Sequence, residues 1–212
     1  MNPTTLNTQT SYDKVATEYA EKFKDEMDSK PFDRNCLDRL ALEVRNLGPI
    51  CDLGCGPGQI ARYLYRQGVA VLGVDLSPRM VEEAQRLNPE IHFHQGDMLS
   101  LPDADNSWGG IAAFYCLIHI PREHMIRALR ELKRVLKPGG VLLVAFHIGD
   151  EIKHLDEWWE KPVNLDFAFF QPQEMEQWLV QAGFQLEGTL IREPNPDVEV
   201  ETRRAYLFAK KG

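Results

Sequence analysis

The sequence predicts an α/β protein built on a doubly wound, mostly parallel sheet of seven strands. Short apolar runs alternate with segments whose apolar residues recur at helical spacing, the pattern of parallel strands joined by crossover helices. A glycine-rich loop at residues 54–58 follows the first apolar run of this alternation. Two further runs end the chain without a helix between them, which predicts a terminal antiparallel strand pair. We therefore expect a ligand site at the carboxyl ends of the parallel strands.

The N-terminal region predicts two helices. Thr10, with Asp13 three residues later, has the pattern of a helix-starting cap, and an apolar stripe including Tyr12 and Tyr19 follows it. A second stripe runs from Asp33, a candidate cap, to Leu47. We expect residues 1–47 to form a helical cap on the domain.

The remaining elements follow in a regular order up to residue 147. Residues 148–170 are rich in aromatic and charged side chains without a clear period, which favours a lid-like insertion. A final helix is expected to end at Gly183. The predicted strands are Ile50–Leu53, Val69–Val74, Ile91–Gln95, Trp108–Tyr115, Val141–His147, Gln185–Ile191 and Arg203–Ala209, with helices after Pro57, from Pro78 to Leu87, and around Met125–Leu136.

Composition bounds the class of protein. The 212 residues, 43% of them hydrophobic, suffice for one domain, and we expect a single domain over 1–212. The formal net charge of -8 argues against a broad nucleic-acid-binding surface. A polar start, no apolar run long enough for a bilayer, and four cysteines without a C-x-x-C pair predict a cytoplasmic protein with free thiols and no membrane partner. Monomer and homodimer remain equally open.

Six motifs in order resemble the class I S-adenosylmethionine-dependent methyltransferases, in the large type 11-like group that acts on small molecules. They are D-L-G-C-G-P-G at 52–58, G-V-D-L-S at 73–77, Q-G-D-M at 95–98, F-Y-C-L-I-H at 114–119, L-K-P-G-G at 136–140 and A-G-F at 182–184. The resemblance implies a Rossmann-like methyltransferase fold. It also implies S-adenosylmethionine as cofactor, S-adenosylhomocysteine as product and a small molecule as methyl acceptor.

The chemistry of this cofactor assigns expected roles at the glycine loop. Gly54, Gly56 and Gly58 permit close backbone approach, and the following helix N-terminus favours a carboxylate. Asp52, or carbonyl groups of the loop, suits the ammonium group. Asp75, at the end of the second strand, suits the two ribose hydroxyls, although a helix-cap role is the alternative. The loop residue Cys55 belongs to the same predicted site.

The other expected cofactor contacts rest mainly on the resemblance. Asp97 is expected to accept the adenine amino group, with a simple turn role as the alternative. Tyr12 and Tyr19 match a Y-D-x-V-A-x-x-Y segment that caps the cofactor in this family, with core packing as the alternative. The remaining candidates are Leu76, Met80 and Met98 beside the adenine, and Phe114, Tyr115 and Ile118 beside the methionine part.

His119, with Tyr12, is the candidate for catalysis. The motifs place His119 beside the expected methyl group, where a general base is needed for a hydroxyl or carbon acid but not for a neutral amine or thiolate. The alternative is that His119 only fixes its loop through backbone hydrogen bonds. The pairs His92–His94 and Asp150–His154 do not complete a metal site, so we expect none. The role of Trp158 and Trp159, substrate contact or lid packing, stays open.

Two other functional classes remain as alternatives. A nicotinamide-dependent oxidoreductase also uses a glycine turn and a strand-end acid, although the G-x-G-x-G spacing after Asp52 favours the methyl donor. A regulatory module that binds S-adenosylmethionine without turnover is the second. The strand-four exit A-F-Y-C-L lacks the N-P-P-Y or D-P-P-Y motif of many nucleic acid amino-methyltransferases, which disfavours a nucleic acid substrate.

Overall fold

A central seven-stranded sheet organises the computed structural model, which describes residues 3–197 and 199–212. The strands of this sheet are β1 (Ile50–Leu53), β2 (Val71–Asp75), β3 (His92–Gln95), β4 (Trp108–Phe114), β5 (Leu136–His147), β8 (Phe184–Arg192) and β9 (Arg204–Lys211). A separate hairpin consists of β6 (Ile152–Trp158) and β7 (Lys161–Ala168). The helices are α1 (Pro3–Phe23), α2 (Pro31–Glu43), α3 (Gln59–Arg66), α4 (Pro78–Leu87), α5 (Arg122–Val135) and α6 (Pro172–Gln181).

The strand order is β3-β2-β1-β4-β5-β9-β8. Strands β1 to β5 are parallel, whereas β9 runs antiparallel to both β5 and β8. The order reverses between β1 and β4, which is where a doubly wound sheet opens a crevice for a ligand. The predicted fold class, including the terminal antiparallel pair, is confirmed.

Burial explains why the central strands are nearly continuous apolar runs. Every residue of β1 and of β4 is buried, since helices cover both faces of the sheet. One apolar cluster joins α5 and α6 to one face, and a second joins α2 and α3 to the other. Within the described residues, no helix combines the length and apolarity that a membrane span needs.

Both predicted starts of the N-terminal helices are wrong. Helix α1 begins at Pro3, so Thr10 lies inside it. Within this helix, the Thr8 hydroxyl donates a hydrogen bond to the Thr4 carbonyl at 3.0 Å. Helix α2 begins at Pro31, a favoured first position, and ends at Glu43 instead of Leu47. Asp33 is 1% exposed and accepts a hydrogen bond from the Tyr206 hydroxyl, so its buried partner set replaces a capping role.

Residues 148–170, whose sequence shows no clear period, are more regular than expected and contain the β6–β7 hairpin. Strand β7 packs against α1, where Val15 lies in one apolar cluster with Val163 and Leu165. Polar contacts reinforce this packing: Lys161 Nζ lies 2.6 Å from a Glu18 carboxylate oxygen. Side chains alternate between the two faces of β7, so every second residue packs against α1. This packing on α1 stabilises the hairpin.

Candidate functional site

A cavity of about 370 Å³ lies at the carboxyl ends of the central strands. The glycine loop after β1, helix α1 and the hairpin all contribute residues to its lining. Except for Gly58, all the residues expected to bind cofactor or act in catalysis line it: Tyr12, Tyr19, Asp52, Gly54, Cys55, Gly56, Asp75, Leu76, Met80, Asp97, Met98, Phe114, Tyr115, Ile118 and His119. The structure thus gathers candidates that are spread over more than half of the chain.

The glycine loop adopts a conformation that side chains would obstruct. Gly54 has φ +67°, and a Cβ there would lie 2.4 Å from the Cβ of Cys116. Gly58 has φ +81° and precedes α3, but it does not line the cavity. A Cβ at Gly58 would lie 2.8 Å from both Asn88 and Phe93, so its requirement for glycine comes from packing behind the loop. Direct ligand contact is therefore not the structural reason for Gly58.

Two carboxyl groups flank the glycine loop, that of Asp52 buried and that of Asp75 half-buried. Asp52 is 2% exposed and accepts a hydrogen bond from the Ala61 amide at 2.9 Å, at the start of α3. Asp75 accepts hydrogen bonds from the Gly56 amide at 2.9 Å and the Ser77 amide at 2.8 Å. Burial raises the pKa of Asp52 to about 7 and that of Asp75 to about 6. A positively charged or multiply donating ligand is the natural partner of such a pair.

The helix-cap alternative for Asp75 does not match the geometry. Ser77 is the N-cap of α4, and its hydroxyl oxygen accepts a hydrogen bond from the Met80 amide at 3.0 Å. The Ser77 hydroxyl in turn donates to Asp13 of α1 at 2.5 Å. Asp75 therefore does not cap α4, and its carboxylate contacts the glycine loop directly. The Asp13–Ser77 contact joins α1 to the start of α4, at the edge of the site.

The third strand-end acid, Asp97, serves a turn. Its carboxylate accepts a hydrogen bond from the Leu99 amide at 2.9 Å, as the turn alternative requires. Asp97 also lines the cavity, together with Leu76, Met80 and Met98. The turn role and a ligand-facing role coexist, because a carboxylate offers about four acceptor positions.

A hydrogen-bonded pair, Tyr12 and His119, lines the same cavity as the glycine loop. The Tyr12 hydroxyl lies 2.8 Å from His119 Nε2, and His119 Nδ1 lies 2.9 Å from the carbonyl oxygen of Asp166 in β7. Since a carbonyl only accepts, Nδ1 carries the proton; the neutral ring then accepts at Nε2 from the Tyr12 hydroxyl. Burial lowers the pKa of His119 to about 4, which keeps the ring neutral, and raises the pKa of Tyr12 well above its ordinary value.

The contact between His119 and Asp166 agrees with the loop-fixing alternative, but the same ring also holds Tyr12. Both ring nitrogens are engaged, so a proton from a bound molecule reaches His119 only through the Tyr12 hydroxyl. The arrangement thus combines positioning with a route for a proton.

Aromatic rings surround this pair. Trp158 lines the cavity, with its ring centroid 6.1 Å from that of Tyr12 and 5.7 Å from that of Tyr19. Trp159 stacks on Trp158 at 4.8 Å, is 37% exposed and does not line the cavity. Of the two tryptophans, only Trp158 is positioned to face a ligand.

A second arm of the cavity is lined by polar residues that the sequence analysis did not select. The name second arm stands here for the part of the cavity lining formed by Lys30, His147, Glu199 and Arg204, and Tyr115, with φ +54°, lines the same cavity. These residues come from distant segments with no local motif, although the concentration of charge around residues 199–204 before a terminal strand was a usable signal. Positive φ in a tyrosine is uncommon and tends to occur at functional sites.

Metal ligation has no support in the described part of the chain. Within residues 3–197 and 199–212, no group of three or more His, Cys, Asp or Glu side chains is placed to hold an ion. His94 Nε2 pairs with Asp103 at 3.0 Å, and His154 Nδ1 pairs with Asp166 at 2.8 Å. Each of these histidines thus has a single carboxylate partner.

Comparison with known proteins finds a family model and several relatives that match part of the chain. The family model described as a methyltransferase domain matches residues 50–140. Malonyl-[acyl-carrier protein] O-methyltransferase of Enterobacter lignolyticus is 35% identical over 129 residues, covering 57% of this chain and 49% of that protein. The chain spans about half the length of the curated relatives with which it aligns first.

Two solved structures share the fold along the whole chain. The 1,6-didemethyltoxoflavin-N1-methyltransferase of Burkholderia thailandensis, with S-adenosylhomocysteine bound, has a TM-score of 0.73 and 20% identity over 100% of this chain and 91% of its own. The magnesium protoporphyrin IX methyltransferase of Synechocystis PCC 6803, with S-adenosylmethionine bound, has a TM-score of 0.72 and 17% identity over 100% and 99%. None of these comparisons supports the oxidoreductase alternative.

Proposed function

We propose that the chain transfers the methyl group of S-adenosylmethionine to a small-molecule acceptor, because residues 50–140 match the family model described as a methyltransferase domain. One observation carries this proposal: the glycine loop, the Asp52 and Asp75 carboxyl groups and the aromatic side chains of Tyr12, Tyr19 and Trp158 all line one cavity. Sulfonium chemistry requires such a chamber, because positioning and exclusion of water supply much of the rate of methyl transfer.

The donor set fits the cofactor at each of its polar ends. Asp75 would accept hydrogen bonds from the ribose hydroxyls, beside or in place of those that it accepts from the Gly56 and Ser77 amides. Asp52 lies beneath the loop and offers negative charge to the ammonium group, while the α3 N-terminus favours the carboxylate. Leu76, Met80, Asp97 and Met98 form the adenine side. The bound cofactor supplies an electrophilic methyl group, and no further activation of it is asked of the protein.

Tyr12 and His119 handle the proton that a hydroxyl or carbon acid acceptor releases. The Tyr12 oxygen takes that proton while its own proton passes to His119 Nε2, 2.8 Å away. His119 is held in the required tautomer by the Asp166 carbonyl. An acceptor that is already a free base or an anion needs only the positioning that this pair provides.

We also propose that the N-terminal region 1–47 and the insertion 148–170 act as cap and lid on a single domain over 1–212. The support is that α1 contributes Tyr12 and Tyr19, and the hairpin contributes Trp158 and Phe167, to the side of the cavity facing the glycine loop. Ser11 Oγ accepts a hydrogen bond from the Asn164 amide at 2.8 Å, so the two segments form one unit. Their combined role is to exclude water from the reacting atoms.

The setting of the enzyme is part of the same proposal. We place it in the cytoplasm, since all four cysteines are buried and free, as in a reducing compartment. The formal charge of -8 supports an acceptor other than nucleic acid, and a monomer or homodimer suffices for a site built from one chain.

The test combines binding with turnover. Calorimetry with S-adenosylhomocysteine should give saturable binding with one site per chain, and incubation with S-adenosylmethionine and a panel of small acceptors should release S-adenosylhomocysteine. Absence of binding would contradict the proposal. Binding without turnover on any acceptor would favour the regulatory module instead, while stabilisation by a nicotinamide cofactor alone would restore the oxidoreductase alternative.

A further inference from the structure

The second arm of the cavity contains an arginine whose hydrogen-bonding capacity is only partly used. Arg204, at the start of β9, is 2% exposed and lines the cavity. Its Nη1 and Nη2 atoms each donate to the Val200 carbonyl at 3.3 Å, and Nη1 also donates to the Thr202 carbonyl at 2.5 Å. Its Nε–H is buried and has no hydrogen-bond partner among the described residues.

These contacts use one edge of the guanidinium group and leave another. The Val200 carbonyl occupies the end between Nη1 and Nη2, so the side formed by Nε–H and the second Nη2–H stays unused. That side presents two parallel N–H groups, the arrangement that a carboxylate accepts in a bidentate manner. A buried N–H without a partner is costly, so a ligand that satisfies it gains affinity.

The neighbouring charges leave Arg204 as the least neutralised cation of this arm. Glu199 is held by Arg192 through two contacts of 2.7 Å and by Lys30 at 2.6 Å, whereas its closest approach to Arg204 is 3.5 Å. Asp33 is engaged by Tyr206 and Arg192. Glu26, 3.4 Å from Lys30, is the remaining acid that lines the cavity here. Each carboxylate thus has a nearer partner than Arg204.

The other groups at this end agree with an anionic ligand. His147, paired with Arg204 in the strand register, directs Nδ1 to the Thr202 hydroxyl at 2.7 Å. Burial, followed by the positive charges of Arg204 and Lys30, lowers the pKa of His147 to about 4. The ring is therefore neutral and adds no positive charge to the site, so Arg204 is the group that would meet an anion here.

Resting on the methyltransferase function proposed above, we propose that Arg204 anchors a carboxylate group of the methyl acceptor. Strand β9 lies two strands from β4, so about 10 Å of sheet separates Arg204 from the Tyr115–Ile118 end of β4, where the methionine part of the cofactor is expected. The anchored carboxylate is therefore distinct from the methylated atom. The acceptor is a small molecule with an anionic end and a nucleophile nearer to Tyr12 and His119.

The test measures carboxylate recognition in the protein saturated with S-adenosylhomocysteine. Benzoate and benzamide are the first matched pair, followed by aliphatic pairs of increasing length, with dissociation constants from ligand-observed NMR. Wild type should bind the carboxylate at least about tenfold more tightly than the amide in one or more pairs, as charge-assisted hydrogen bonds predict. Arg204→Met should abolish this preference, and Arg204→Lys, which keeps the charge but loses the fork, should retain only part of it.

Arg203→Met is the matched control, because Arg203 is 55% exposed and pairs with Glu193 at 3.2 Å. It should keep the full preference, and every variant should keep wild-type affinity for S-adenosylhomocysteine, which verifies the fold. Wild type without a carboxylate preference, or an Arg204→Met protein that retains it, would overturn the inference. If Arg204→Met does not fold, a full preference for the carboxylate over the amide in Arg204→Lys would contradict bidentate binding by the Arg204 guanidinium group. Loss of S-adenosylhomocysteine binding by wild type would contradict the methyltransferase proposal itself.

Discussion

The hydroxyl of Tyr12 and Nε2 of His119 lie 2.8 Å apart, although 107 residues separate them in the chain. This contact joins α1 to the loop after β4 at the point where both line the cavity. The structure of the candidate site depends on such long-range contacts as much as on its glycine loop.

The Tyr12–His119 pair should show measurable coupling. Tyr12→Phe leaves His119 Nε2 without its donor, and we expect a loss of about 1 kcal/mol in the free energy of unfolding. A double-mutant cycle with His119→Ala, measured by urea denaturation, should give a coupling energy of about 1 kcal/mol. The exposed Tyr63–Asp38 hydrogen bond, 2.7 Å long, provides a control cycle that should give less than about 0.5 kcal/mol. Equal coupling in the two cycles would contradict the assignment.

Asp75→Ala should weaken S-adenosylhomocysteine binding by more than about 1 kcal/mol, because it removes the acceptor that we propose for the ribose hydroxyls. Calorimetry on folded protein measures this directly. Asp150→Ala, at an exposed carboxylate outside the cavity, should leave the affinity unchanged. An Asp75→Ala protein that binds as well as wild type would exclude the ribose role.

Affinity for S-adenosylhomocysteine should rise with pH. The free protein holds Asp75 with a pKa of about 6 and Asp52 with a pKa of about 7, both raised by burial, while the ligand favours the ionised carboxylates. Both groups are protonated at pH 5 and ionised at pH 8, so binding at pH 5 must release protons. We expect at least about a tenfold increase in affinity between these values. Calorimetry in buffers of different ionisation enthalpy should detect the released protons, and Asp75→Asn should leave only the part of the pH dependence that Asp52 contributes. A flat profile in wild type would refute the coupling.

Gly54→Ala should destabilise the protein more than Gly68→Ala. Both glycines have positive φ, +67° and +77°, so the backbone strain of the two substitutions is similar. A Cβ at Gly54 meets Cys116 at 2.4 Å, whereas one at Gly68 has no heavy atom within 4 Å among the described residues. We expect an additional cost of about 1–3 kcal/mol at Gly54 from overpacking, read from urea denaturation. Equal costs would mean that the loop moves away from Cys116 without resistance.

The parallel core was predictable from sequence because each of its elements carries a local signal. Asp75 lies at a strand end and Ser77–Pro78 starts a helix, and both features agree with the structure. The start of α1 was not predictable from the Thr10 pattern, since residues from Pro3 onwards continue the helix with little apolar periodicity. There, packing against β7 and α4 decides the structure instead of local preference.

The hairpin and the second cavity arm show the two remaining limits. Val163, Leu165 and Phe167 alternate with polar residues, so β7 was recognisable, but β6 is largely exposed and has no such alternation. Arg204 and Lys30 are ordinary charged residues in sequence, and only folding buries them in one network through Glu199. The terminal antiparallel strand brings Arg204 to the carboxyl edge beside His147, a placement that follows from the strand pairing and not from a motif around Arg204.

Helix α1 is fastened on both flanks, to the cap of α4 through Asp13 and to the hairpin through Ser11. The same helix carries Tyr12, so any movement of α1 away from the cavity also separates the Tyr12 hydroxyl from His119. We expect S-adenosylhomocysteine to be exchanged for S-adenosylmethionine through a state in which the Tyr12–His119 contact is broken and methyl transfer does not occur. We expect no methyl transfer while α1 is displaced from the cavity, so the rate at which α1 returns should limit turnover.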